Sequence, residues 1–486
     1  METDFTTQHF PLIIPGAKAG SDPMEVFAPY DGTLIATVER ADQTAVDHAL
    51  ETAYGLFRNR DVWLSPARRV EILENTVAIM RARREELALE AAREGGKPLI
   101  DSLVEADRAI DSVKICIDTL RTQAGTEIPM NLNAASAGRL AFTRHEPVGV
   151  VVAFSAFNHP LNLIAHQVGP AVAAGCPVIV KPAEATPLSC MRFVSILHEA
   201  GLPEEWCQAF LTTDLDVAGT LATDRRVGFF SFIGSARVGW MLRSRLAPGT
   251  RCALEHGGAA PVIVAADADL DTALPLLAKG GFYHAGQVCV SVQRVFADRP
   301  IARDLAERLA DLATTMTVGD PTLPDTEVGP LIREAEVHRV DEWVQEAIEG
   351  GAQLLCGGEA RSASCFAPTV LFDPPTDARV STQEIFGPVV CVYPFDEVDA
   401  AIALANDLPY AFQAAVFTRD LDTALRAATR LDALAVMVND HTAFRVDWMP
   451  FAGLRASGLG IGGIPNTMKD MQTERMIVIR SKELGY

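Results

Sequence analysis

Val148-Gly149-Val150-Val151-Val152-Ala153 is an uninterrupted apolar run rich in β-branched residues. Its length and composition read as a strand buried on both faces. A helical stretch follows, then Val178-Ile179-Val180-Lys181, then another helix, and the series continues through Val227-Gly228-Phe229-Phe230-Ser231-Phe232 to about Glu255. Continuous apolar strands separated by helices predict an α/β fold with a parallel sheet covered on both sides. A second series of the same kind occupies about 257–450, with a helix before Cys289 and strands at Ala414-Ala415-Val416-Phe417 and Ala435-Val436-Met437-Val438. Two parallel-sheet α/β domains are expected.

Upstream of the first strand the N-terminal third reads as helical. Ser65-Pro66, a cap residue followed by proline at the first helical position, predicts a long helix running to Gly95-Gly96. A second helix is expected at about 101–123, with Ile110, Val113, Ile117 and Leu120 as its core stripe. A hairpin is expected around Gly138 to Glu146. The tail Arg475-Met476-Ile477-Val478-Ile479-Arg480 reads as an apolar strand with no neighbouring partner in sequence.

A chain of 486 residues with 49% apolar content exceeds one core and can bury several. The formal charge is −21, from 42 Lys and Arg against 63 Asp and Glu. Such a surface repels a phosphate backbone or an anionic bilayer, so neither nucleic acid nor membrane is an expected partner. A small anionic substrate requires locally placed arginines. Nine cysteines form no CxxC pair and no metal-ligand spacing, which predicts reduced thiols in an intracellular protein and no metal site. Met1-Glu2-Thr3-Asp4-Phe5 lacks the features of a signal peptide, and no run of ~18 apolar residues occurs. A cytoplasmic location is expected.

The chemistry concentrates in Phe282-Tyr283-His284-Ala285-Gly286-Gln287-Val288-Cys289, where a Gly-Gln turn delivers one cysteine after a helix. A cysteine nucleophile needs a base and an oxyanion donor. Leu254-Glu255-His256-Gly257-Gly258 offers a carboxylate, and Phe157-Asn158-His159-Pro160 an amide. No GxGxxG is present. Gly234-Ser235-Ala236-Arg237-Val238-Gly239 instead follows a strand and opens a helix, so its N–H groups face a site suited to a pyrophosphate.

These segments occur together with Lys181-Pro182-Ala183-Glu184, Glu384-Ile385-Phe386-Gly387-Pro388 and Pro450-Phe451. In that order they resemble the aldehyde dehydrogenase superfamily over nearly the whole chain. The resemblance implies an NAD(P)-binding Rossmann-type domain from 1–124 and 148–256, and a catalytic domain over 257–450. It implies further that 125–147 and 465–486 form a small β arm joining subunits into a homodimer or homotetramer. Cys289 would be the nucleophile, Asn158 the oxyanion donor and Glu255 the base for hydrolytic release. For the cofactor, Gly234 and Ser235 would hold the pyrophosphate, Lys181 and Glu184 the adenosine ribose, and Glu384 with Phe386 the nicotinamide ribose. A carboxylate at 184 accepts from a 2′-hydroxyl and repels a 2′-phosphate, which favours NAD while leaving NADP possible.

Arg445-Val446-Asp447 shortly before Met449-Pro450-Phe451 resembles the branch containing lactaldehyde, phosphonoacetaldehyde and non-phosphorylating glyceraldehyde-3-phosphate dehydrogenases. With Arg108 and His159, Arg445 and Phe451 would line an anion-capturing substrate site. Arg108 also stands three positions from Glu105 and from Asp111, the spacing of a solvated helix ion pair. The expected function is oxidation of a small anionic aldehyde. A broad-specificity enzyme for uncharged aldehydes and a cofactor-independent thiol esterase are the alternatives.

Overall fold

In the computed structural model, which describes residues 7–484, the run that opens the first series is the strand Val150–Phe154, buried along its whole length. Its side chains alternate between two cores. Val151 and Ala153 pack with the helices Pro66–Ala82, Leu99–Thr122 and Asn162–Ala174, while Val150, Val152 and Phe154 pack on the opposite face with Gln43–Arg58 and Leu215–Thr223. Each fully buried valine contributes about 1.5–3 kcal/mol relative to exposure, which is why this strand takes the centre of its sheet.

That sheet has six strands in the order Gly458–Leu459, Arg251–Glu255, Val227–Ile233, Val150–Phe154, Val178–Lys181, Cys207–Ala209. All pairs are parallel except the edge strand Gly458–Leu459. The chain builds outward from Val150–Phe154 to one side, then crosses back to add Val227–Ile233 on the other. This reversal opens a crevice at the carboxyl ends of those two strands, the place where doubly wound sheets bind ligands.

A second sheet of seven strands runs in the order Gln353–Cys356, Thr369–Phe372, Val389–Phe395, Val292–Asp298, Ala260–Val264, Gln413–Phe417, Ala435–Val438. It is parallel apart from its first strand. Its core is separate from the other two.

Three expectations need correction. The N-terminal third is not all helical: Gln8–Phe10, Ser21–Phe27 and Leu34–Arg40 form a three-stranded sheet ahead of the helices. The long helix from Ser65 is two helices, Pro66–Ala82 and Arg84–Gly95, because Arg83 leaves the helical region at φ −110°, ψ 19°. Its ends are as read, with Ser65 Oγ accepting from Arg68 N–H at 3.2 Å and Gly96 left-handed at φ 72°.

The third concerns the stretch from Gly138 to Glu146, which belongs to one strand, Arg139–Pro147, whose hairpin partner is Glu127–Ile128. The tail strand, Gln472–Arg480, pairs antiparallel along the full length of Arg139–Pro147. Together they form a three-stranded arm with Met476, Val478 and Ile479 exposed. Residues 1–6 and the last two positions of the 465–486 segment lie outside the described residues. Among the described residues, no helix is long and apolar enough to cross a membrane. None of the nine cysteines is in a disulfide.

Candidate active site

The crevice opens into a cavity of about 680 Å³ whose walls come from both sheets. All thirteen residues singled out from the sequence line it: Arg108, Asn158, His159, Lys181, Glu184, Gly234, Ser235, Glu255, Cys289, Glu384, Phe386, Arg445 and Phe451.

Cys289 is delivered by a strained turn. His284, Ala285 and Gly286 are consecutively left-handed, at φ 48°, 54° and 69°. A Cβ at Gly286 would fall well inside 3.0 Å of the Gly387 carbonyl oxygen, so only glycine fits. Gln287 pins the turn: its side-chain oxygen accepts from Ile332 N–H at 2.9 Å and its amide donates to Pro330 O at 3.2 Å. The Gln287 carbonyl in turn accepts from Asn158 Nδ2 at 2.9 Å, which leaves the second amide proton of Asn158 for a ligand. Burial pushes the Cys289 thiol up to about 12, with Arg445 pulling it down and Glu384 and Glu255 adding to the rise.

Glu255 ends its strand with its carboxylate against Gly462, where any larger side chain would overlap it. Burial raises its pKa, and Arg445 opposes the shift. Glu384 occupies the space a Cβ at Gly257 would fill, and it accepts from Gly258 N–H at 3.1 Å. Burial lifts this carboxyl to about 8 against that hydrogen bond and Arg339. Beside it Phe386, itself left-handed at φ 48°, packs edge-on against Phe157 at 5.7 Å.

At the other end Ser235 caps the helix Ala236–Arg243 from an extended conformation, and its side chain makes no capping bond among the described residues. Val238 N–H turns back to Ser235 O at 3.1 Å, which leaves the N–H groups of Ala236 and Arg237 for an anion. Lys181 Nζ lies 3.9 Å from Glu184, and burial lowers its pKa. Leu215 and Met241, which no sequence motif marks, line the cavity while 82% and 44% exposed. Their only signal is apolar character at positions where helices face water. A bound aromatic base would cover both, so the residues fit a dinucleotide along this wall. His256 Nδ1 donates to Gly234 O at 2.8 Å, with its ring packed on Gly239 between Phe232 and Trp240. Histidine at this position thus braces the same turn.

The substrate end departs from expectation. Arg108 pairs with neither Glu105 nor Asp111. Its fork is taken by Asp447, Nε to Oδ2 at 3.1 Å and Nη2 to Oδ1 at 2.6 Å, so it does not offer a free fork to a ligand. Glu105 pairs with buried Lys97, and Asp111 with Lys114. Lys97 also donates to His159 Nδ1 at 2.7 Å, which places the proton of the neutral His159 ring on Nε2. Burial and the nearby cations hold His159 well below its ordinary range. Asp447 Oδ1 further accepts from His166 Nε2 at 2.7 Å, and its hydrogen bonds with His166 and Arg108 outweigh burial and keep it ionised. Arg445 stacks on Phe451, Cζ to ring centroid 3.5 Å, and contacts His166 Nδ1 at 3.2 Å. Its Nε is buried without a hydrogen-bond partner among the described residues.

Residues 17–477 match the aldehyde dehydrogenase family. The chain belongs to that family. It is 37% identical over 459 residues to a 3-sulfolactaldehyde dehydrogenase of Priestia aryabhattai, covering 94% of this chain and 95% of the relative. Aldehyde dehydrogenase 21 of Physcomitrella patens, solved with its reaction product succinate, superposes with a TM-score of 0.93 at 32% identity, over 98% of this chain and 99% of that one. Glyceraldehyde-3-phosphate dehydrogenase of Methanocaldococcus jannaschii, solved with NADP, gives 0.90 at 33% identity, over 95% and 100%. The fold is the aldehyde dehydrogenase fold, and the activity is NAD(P)-dependent oxidation of an aldehyde.

Proposed function

We propose that this aldehyde dehydrogenase oxidises a small aldehyde bearing an anionic group at its far end, and releases the acid by hydrolysis. The observation that carries the reading is Arg445: its side chain is 9% exposed, stacked on Phe451, and lines the cavity that also holds Cys289, while its nearest carboxylate, Asp447 at 3.8 Å, is already forked onto Arg108. A guanidinium whose neighbouring carboxylate is committed to another arginine keeps positive charge for an anionic ligand, which it holds by charge-assisted hydrogen bonds. His159 Nε2–H is a second donor, and Arg108, neutralised by Asp447, is the framework behind them. The named relatives support this choice. One is described as acting on 3-sulfolactaldehyde, one carries succinate and one takes its name from glyceraldehyde-3-phosphate. Sulfonate, carboxylate and phosphate are all anions.

In this reading the Cys289 thiolate adds to the aldehyde carbon, since a planar carbonyl releases hydride only after it becomes tetrahedral with a negative oxygen. The free amide proton of Asn158 and the Cys289 N–H stabilise that oxygen. Bound NAD(P) supplies the hydride acceptor. Gly234, Ser235 and the following helix start would hold its pyrophosphate, Leu215 and Met241 its adenine, Lys181 and Glu184 the adenosine ribose, and Glu384 with Phe386 the nicotinamide ribose. The acceptor oxygens of Glu184 favour NAD over NADP. Glu255, whose pKa is raised by burial, takes the proton of the water that cleaves the thioester. Aldehyde, water and oxidised cofactor thus yield carboxylate, reduced cofactor and protons. The exposed apolar residues of the arm, Met476, Val478 and Ile479, support self-association into a dimer or tetramer.

The test follows reduced cofactor with NAD and NADP against phosphonoacetaldehyde, sulfoacetaldehyde, succinic semialdehyde, lactaldehyde, glyceraldehyde-3-phosphate and propanal. A strong preference for one anionic member is expected. Equal turnover of propanal overturns anion capture, and ester cleavage without aldehyde oxidation overturns the dehydrogenase mechanism.

A further inference from the structure

Arg445 sits where two reacting groups meet. Its guanidinium stacks on the Phe451 ring, and that ring packs in one apolar cluster with Val288, Val290 and Cys289. The Phe451 backbone exchanges hydrogen bonds with Gly462, N to O at 3.1 and 2.7 Å, and Gly462 is the residue against which the Glu255 carboxylate rests. One residue, Phe451, therefore links the cation it stacks on to the cluster around the thiol and, through its backbone, to the glycine beside the base.

We infer that Arg445 sets the charge state of Cys289 and Glu255 before any substrate arrives, so that its cation stabilises the thiolate and the carboxylate in addition to receiving an anion. The inference rests on the reading of Cys289 as nucleophile. The groups facing these atoms have opposing effects. Glu384 and Glu255 disfavour the thiolate from the cofactor side. Arg445 favours it from the loop before Phe451, with Arg108 behind it on the helix Leu99–Thr122, while burial and Arg445 lower His166 on the helix Asn162–Ala174 to about 4 and keep it neutral. Asp447, bonded to both Arg108 and His166 and 3.8 Å from Arg445 Nε, attenuates that positive field. In a site this deeply buried, a fixed cation counts far more than in water. Burial pushes the thiol up to about 12 even with this cation beside it, and removing the cation pushes it higher still.

The sign of the effect is testable with an uncharged probe that ignores anion capture. The rate of Cys289 alkylation by iodoacetamide is measured against pH in the full chain, with labelling at that residue read by peptide mass spectrometry. Arg445→Leu is expected to raise the midpoint by about one unit, a roughly tenfold slower reaction below both midpoints. Arg445→Lys keeps the charge and is expected to react within about threefold of the parent at each pH. Asp447→Asn removes the attenuating carboxylate, so its midpoint moves down. General damage to the pocket would move both neutral variants the same way. An Arg445→Leu profile that superposes on the parent, or an Asp447→Asn shift in the same direction as Arg445→Leu, overturns the inference. Turnover by Cys289→Ala would overturn the nucleophile itself and this role with it.

Discussion

Replacing Gly286 with alanine tests whether the cysteine turn is as tightly determined as its geometry implies. Gly286 is left-handed at φ 69°, and an added Cβ would lie well under 3.0 Å from the Gly387 carbonyl oxygen and 2.5 Å from its carbon. The left-handed conformation costs a non-glycine residue about 1–2 kcal/mol. Overlap with a fixed backbone carbonyl adds about 1–3 kcal/mol, for a total of roughly 2–5 kcal/mol. The Gly387-Pro388 side is tied to Glu384 and Phe386, and Gln287 is tied to Ile332 and Pro330, so the strain is relieved most easily by moving Cys289. A displacement near 1 Å at a reacting atom costs about a hundredfold in rate. The expected result is a kcat at least about a hundredfold lower, with the circular dichroism spectrum and dinucleotide binding retained. Gly249→Ala is the control, being left-handed at φ 92° with open space around its Cβ, so it bears the conformational cost without the overlap. A Gly286→Ala enzyme within threefold of the parent kcat, or a Gly249→Ala enzyme equally impaired, would refute the reasoning.

Three further outcomes follow from the same geometry. Glu255→Gln should release a burst of NADH and then turn over about 10²–10⁴-fold more slowly, as loss of a general base implies; an unchanged steady state in stopped-flow assays would remove its role. Arg445→Leu should lower the ratio of kcat/KM for anionic over neutral aldehydes by about 10- to 100-fold, the value of a charge-assisted hydrogen bond; equal losses on both would leave anion capture without support. Glu384 ionises only above its raised value of about 8, and ribose hydroxyls donate best to the ionised form, so KM for NAD should fall as pH rises through that value. Glu384→Gln should flatten this dependence in initial-rate titrations.

The two sheets were legible because their strands are continuous apolar runs, a signal that depends on burial and not on partners. The β-sheet at the N-terminus was missed because Leu34–Arg40 is only partly buried and mixes charged with β-branched residues. The break at Arg83 was invisible because no Gly or Pro marks it. The candidate catalytic and cofactor residues were read from motif order, and the cavity gathers all of them. Gln287, quoted as part of the cysteine motif, turned out to be the residue that ties its loop to two other segments.

Partnership was the part that sequence spacing misjudged. Glu105 and Asp111 stand near Arg108 on one helix, yet the arginine forks onto Asp447, 339 positions away. The tail strand, with no neighbouring partner in sequence, pairs fully with Arg139–Pro147, and Leu215 and Met241 acquire meaning only as two walls of one cavity. The amino-acid sequence alone determined the α/β class and, through the order of its motifs, which candidate residues to look for, because burial pattern and side-chain chemistry are carried by each residue itself. The tertiary structure decided which carboxylate each cation meets and how the tail strand completes the arm. Hydrogen bonds and ion pairs act over a few ångströms, so their outcome is fixed only once packing has brought distant segments together.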